Sequence, residues 1–154
     1  MNAEPEIQRA HKAGVKEGTA RSIARITAGV LGVVLIAAGV LGFIYGDSSF
    51  TVGDQLGRGE FLGFDVNGWH NIVHIATGAF LLLMMPTTTS AITGLLVFAV
   101  VYAAVTVWGF VTGTDVAWIV PVDTADNILH AALVVVALIV AIAAGGIRRG
   151  AKRT

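Results

Sequence analysis

Four long apolar blocks joined by short polar connections constrain this chain more than any other feature. They run over about residues 22–45, 68–85, 91–111 and 124–147. Each is long enough to cross the roughly 30 Å hydrocarbon layer as a helix of about 20 residues. Helices satisfy the backbone there, and the alternating strands of a closed barrel are absent. Only 13% of the 154 residues are charged, and mean hydropathy is +0.78. A soluble fold of this length could not cover so much apolar surface. The blocks predict an all-α fold, an integral membrane bundle of four transmembrane helices. Residues 1–20 form a polar N-terminal tail, 21–147 the membrane domain, and 148–154 a basic C-terminal tail.

Charge orients the bundle. Arg9, Lys12, Lys16, Arg21 and Arg25 precede the first block, and Arg148, Arg149, Lys152 and Arg153 follow the fourth. With an even number of spans, nine of the ten basic residues share one side, against Arg58 alone on the other. The far side also carries seven of the ten acids: Asp47, Asp54, Glu60, Asp65, Asp115, Asp123 and Asp126. The positive-inside rule then predicts a multi-pass protein of the cytoplasmic membrane with both termini cytoplasmic. Trp69, Trp108, Trp118 and Tyr45 gather at the outer boundary as an aromatic belt. The first twenty residues lack the apolar core and cleavage site of a signal peptide. Cysteine is absent, which excludes disulfides, thiol redox chemistry and thiolate metal sites.

The chain also repeats itself. The second block opens His70-Asn71-Ile72-Val73-His74 and the fourth Asp126-Asn127-Ile128-Leu129-His130. The blocks before them echo each other in Leu41-Gly42-Phe43 and Trp108-Gly109-Phe110. Two helical hairpins of the same orientation are expected, related by a pseudo-two-fold axis along the membrane normal. Their second helices should touch through their outer thirds.

The stretch from Phe61 through Gly63, Asp65, Asn67 and Trp69 to His74, with Gly78 beyond it, resembles the bacterial membrane family called domain of unknown function 4383. Asp126-Asn127-Ile128-Leu129-His130 is similar to that family's second motif. The resemblance implies a four-helix bacterial membrane protein. It implies no activity and supplies no catalytic or ligand residues.

Polar side chains within spans are costly and are functional candidates by default. Here they are His70, Asn71, His74, Asp126, Asn127 and His130. Residues four apart on a helix lie about 40° apart, so His70 and His74 share a face. At 1.5 Å per residue His74 and His130 lie about 10 Å below the outer surface. One reading is interhelical glue, with Asn71, His74, Asn127 and His130 in one hydrogen-bonded layer. A second is a cofactor site. Facing imidazoles could hold haem axially, or His70, His74 and His130 with Asp126 could bind a metal ion. A third is proton sensing by histidines paired with Asp126. The glue reading stands first, with no resident cofactor and no catalytic residues.

Ala28, Gly32, Gly39, Gly42 and Gly46 form a stripe of small residues on one face of the first helix. Such a stripe lets helices pack closely, inside the bundle or against a partner. The glycine-rich first loop, residues 46–67, is open to contacts outside the membrane. The glycines around Asp54-Gln55-Leu56-Gly57-Arg58-Gly59 lack the lysine and hydroxyl of a phosphate loop. No block is broken at mid-membrane, which disfavours a transporter or channel. The expectation is a structural or accessory membrane component rather than an enzyme. Its partners would be the lipid bilayer and a membrane protein or a second copy, not nucleic acid. A haem- or metal-binding redox protein is the alternative.

Overall fold

The computed structural model describes residues 4–151, with side chains described throughout residues 22–145 and at scattered earlier positions. Four helices dominate: α1 (Glu4–Tyr45), α2 (Gly68–Met84), α3 (Thr88–Thr112) and α4 (Thr124–Ala151). Three segments, Ser22–Tyr45, Thr88–Thr112 and Thr124–Gly145, are long and apolar enough to cross a membrane, while Gly68–Met84 is shorter. Their large apolar residues, among them Val30, Val100, Val107 and Ile139, point outward, as expected where the solvent is lipid. The chain is a multi-pass membrane protein. The polar stretch expected as a tail continues α1 as one unbroken helix from Glu4. Lys152 and Arg153 of the expected C-terminal tail lie outside the described residues, as do the side chains of Lys16, Arg21, Arg148 and Arg149.

α1 pairs with α2 and α3 with α4. The small-residue stripe explains the first pairing. Gly32 lies against Gly78 and Leu82, Gly39 against Asn71 and Ile75, Gly42 against the Asn71 amide, and Gly46 against Val66 and Phe61. These pairings run in opposite directions along the two helices, so α1 and α2 are antiparallel. Ala28 is buried in the core with Ala24, and on α4 Ala137, Ala141 and Ala144 join them. Small side chains on both helices bring the backbones close, which is how apolar helices gain contact without a hydrophobic driving force.

The turn between α2 and α3 is fixed by its caps. Arg25 Nε donates to the Met85 carbonyl at 3.2 Å, satisfying an acceptor left open at the end of α2. Thr87 and Ser90 form a reciprocal capping box at the start of α3. At the opposite end the all-α expectation needs amendment. Residues read from sequence as irregular loops form two antiparallel hairpins, β1 (Gly59–Phe61) with β2 (Phe64–Val66), and β3 (Asp115–Val116) with β4 (Val120–Pro121). One turn of 3-10 helix, Gly53–Gln55, precedes the first. Strands of two or three residues are too short to register as alternation in a sequence.

The two hairpins close one end of the molecule together. Gly53 N–H donates to the Trp118 carbonyl at 2.9 Å. Arg58 pairs with Asp65 at 3.0 Å and also reaches the Thr114 carbonyl. Asn67 accepts from His70 N–H at 2.9 Å, capping α2, and donates across to the Ile119 carbonyl at 2.9 Å. Asp123 mirrors it, accepting from Asp126 N–H at 2.9 Å to cap α4 and from Asp65 N–H at 2.7 Å. Each cap residue serves its own helix with one atom and the opposite hairpin with another.

Candidate metal centre

Directly beneath this closure, α2 and α4 present His70, His74, Asp126 and His130 to one another. The two helices touch through the outer parts that the repeat predicted, by side chains, while their backbones stand across the diagonal of the bundle. Imidazoles fill the distance. His70 and His130 have ring centroids 6.2 Å apart, His74 and His130 5.8 Å. A histidine layer is wider than the glycine and alanine contacts that draw α1 onto α2.

His70 is the most constrained member. Its Nδ1 lies 3.1 Å from both the Asp65 and the Pro121 carbonyl. Carbonyl oxygens only accept, so the neutral ring carries its proton on Nδ1 and turns the Nε2 lone pair inward. That Nε2 lies 3.3 Å from His74 Nε2 and 4.0 Å from an Asp126 oxygen. His130 Nδ1 is 3.5 Å from the other Asp126 oxygen. One ligand nitrogen from each of His70, His74 and His130 lies within 4.8 Å of the other two. His70 and His130 are buried and His74 is half-buried. Asp126 is not part of that converging set; it lies between His70 and His130, with one oxygen toward each ring.

The asparagines do something else. Asn71 Nδ2 donates to the Asp47 carbonyl at 3.0 Å, and its amide oxygen packs on Gly42. Asn127 packs on Gly109 in the same way. Each asparagine therefore joins its helix to the preceding helix of its own hairpin, and the four-residue glue layer does not form. Among the described residues, neither ring nitrogen of His130 has a hydrogen-bond partner, nor do Asp126 Oδ2 and Asn127 Oδ1. Buried polar atoms are rarely left so.

A cavity of about 290 Å³ adjoins the histidines. His70, His74 and His130 form one side, and Tyr102 with Val73, Val101, Val105, Val116, Val120 and Val122 the rest. Tyr102 stands edge-on to His130, with centroids 4.9 Å apart. Tyr102 could not be singled out beforehand, since one tyrosine within an apolar helix carries no motif. Asn67 was open to detection, standing three residues before His70 where a helix cap belongs.

A family model described as Domain of unknown function (DUF4383) matches residues 25–143. The match includes both histidine-bearing motifs, and the chain belongs to that family. No curated protein and no solved structure matches it.

Proposed function

We propose that this chain is a four-span protein of the cytoplasmic membrane, with both termini inside, that binds a divalent first-row transition-metal ion through His70, His74 and His130. The observation that carries the reading is the convergence of three imidazole nitrogens within 4.8 Å at a buried position. A buried imidazole without a hydrogen bond, as His130 is, is costly, and a shared cation would engage one nitrogen of each of the three rings at once.

The details suit an ion. Ligand nitrogens about 2.0–2.1 Å from a tetrahedral zinc are about 3.3 Å apart, which is the His70–His74 separation. Metal-bound histidines commonly donate their other ring N–H to a carbonyl or carboxylate. The Asp65 and Pro121 carbonyls stand in that place for His70, and Asp126 stands there for His130. An all-imidazole set favours zinc and its neighbours over copper(I), which prefers sulfur. Haem fits poorly, because His74 and His130 meet edge to face and leave no flat slot for a macrocycle. The glue reading accounts for Asn67, Asn71 and Asp123 but leaves both ring nitrogens of His130 without a hydrogen bond.

The four-span reading is supported by α2 running antiparallel beside α1 from Gly42 to Gly32. Its 17 residues extend about 26 Å, and its ends meet the hairpin closure and the Pro86 turn. The basic asymmetry then sets the orientation.

Metal analysis of the full-length protein purified in detergent tests the assignment. Stoichiometric metal is expected in the wild type and after Asn71→Ala, and loss of it after His74→Ala or His130→Ala. Wild-type protein that takes up no zinc or cobalt on dialysis, and melts at the same temperature with and without them, would return the chain to a purely structural role.

A further inference from the structure

We propose that the metal's remaining coordination position opens into the valine-walled cavity. Its occupant would be a small uncharged lipophile with one nitrogen or oxygen donor, entering sideways from the bilayer between α2 and α3. The proposal rests on the metal reading and adds the class of ligand and its route.

Three protein ligands leave a zinc-type ion one open position, the arrangement of sites that bind water or substrate. Among the described residues only His70, His74 and His130 bring ligand atoms together, while Asp126 has one oxygen on His130 Nδ1 and the other 4.0 Å from His70 Nε2, so the fourth position has no side chain of the cluster assigned to it. The three histidines themselves line the cavity. The remainder of its wall is aliphatic except for Tyr102. A charge carried away from the donor atom would lose its hydration against the aliphatic wall, where no opposite charge meets it. An apolar molecule would lose nothing, and its single donor atom would meet the metal. A cavity of about 150 Å³ accepts benzene, so 290 Å³ has room for a molecule of two rings.

The route follows from what closes each side. Toward the aqueous phase, Pro121 and Val122 are fully buried under a closure clasped by Asn67 and Asp123. Toward the lipid, Val73 on α2 and Val101 on α3 line the cavity, yet they are 41% and 48% exposed on the outer flank of the bundle. A single layer of valine therefore separates the cavity from the acyl chains. The helices on either side belong to different hairpins and touch more sparsely than the helices within each hairpin.

Cobalt-loaded full-length protein in detergent provides the test, with 4-phenylimidazole as the neutral probe and imidazole-4-acetate as its anionic counterpart. The neutral probe should change the visible cobalt bands saturably, and the anion at equal concentration should not. Val101→Phe and Val73→Phe, each narrowing the entry from one side, should weaken the neutral probe at least tenfold and leave the cobalt bands of the unliganded protein unchanged. Cobalt bands that ignore the neutral probe would overturn the proposal while leaving the metal site standing. Equal binding of the anion would overturn the bilayer route. Wild-type protein without cobalt bands would remove the metal reading, and this proposal with it. Should both phenylalanine variants lose cobalt, the comparison of neutral and anionic probes on the wild type still decides.

Discussion

His70 and Asp126 occupy the same position in the two halves of the chain and face each other across 4.0 Å. The repeat that relates them also relates Asn67 to Asp123, Asn71 to Asn127 and His74 to His130. Three of these four pairs do matching work: Asn67 and Asp123 cap and clasp, Asn71 and Asn127 seat on glycines, and His74 and His130 face the same cavity. The pair that differs makes the site asymmetric. Where one half supplies a third imidazole, the other supplies a carboxylate beside His130.

That asymmetry predicts the effect of Asp126→Asn. An amide beside His130 Nδ1 retains the shape and loses the charge that orients and strengthens the ring as a ligand. Removing such a partner typically lowers metal affinity about 10- to 100-fold. Competition with a chromophoric chelator should show the weaker binding at unchanged stoichiometry. Abolition of binding would instead make Asp126 a direct ligand, and unchanged affinity would remove it from the site.

The two asparagine seats predict matching defects. A methyl group on Gly42 or Gly109 would collide with the amide of Asn71 or Asn127. Both amides are buried and have little space into which to withdraw. Gly42→Ala and Gly109→Ala should each destabilise the protein by about 1–3 kcal/mol, the usual cost of overpacking. The effects should add, because the two seats lie in different hairpins. Thermal unfolding in detergent reads both, and wild-type melting of either variant would show that the seat is slack.

These seats mark what the sequence made legible. The apolar blocks and the His-Asn/Asp-Asn repeat point to four helices in two hairpins, and Leu41-Gly42-Phe43 with Trp108-Gly109-Phe110 mark where each asparagine docks. The role of that docking was not legible. An asparagine and a histidine three residues apart share a helix face, so they read as one layer. Yet a three-residue step still turns the helix by about 60° from full alignment, enough to aim Asn71 at α1 and His74 at the cavity. The closure was equally hidden. Its strands are two or three residues long, and its strength lies in cross-hairpin bonds from Asn67 and Asp123 that no local pattern announces.

Orientation is open to a direct check. Reporter fusions after Gly53 and at the C-terminus should fall on opposite sides of the membrane, the first outside and the second inside, by the nine-to-one division of basic residues. Reports from the same side would mean that α2 fails to cross, and would place the histidines at the wrong depth.

The clasp yields the last prediction. Asp123 caps α4 through Asp126 N–H and holds Asp65 N–H with its second oxygen, while the Asp65 carbonyl faces His70 Nδ1. Asn67 caps α2 and binds Ile119, two residues before Pro121, the other carbonyl facing that nitrogen. Each residue thus supports one of the two carbonyls that set His70's tautomer. Replacing either by alanine removes a helix cap, worth about 0.5–2 kcal/mol, and a cross-hairpin hydrogen bond of about 1 kcal/mol. Asn67→Ala and Asp123→Ala should therefore each cost about 2 kcal/mol. The double variant should cost less than the sum, because both clasp the same pair of hairpins. Metal affinity should fall in each single variant although neither residue is a ligand, since His70 loses the restraint that aims Nε2. Asp123→Asn separates the two effects, because its amide oxygen can still cap α4 while its nitrogen cannot accept from Asp65 N–H. That variant should recover most of the stability and little of the metal affinity. Recovery of both together would make the clasp purely structural and leave His70 aimed by its own helix alone.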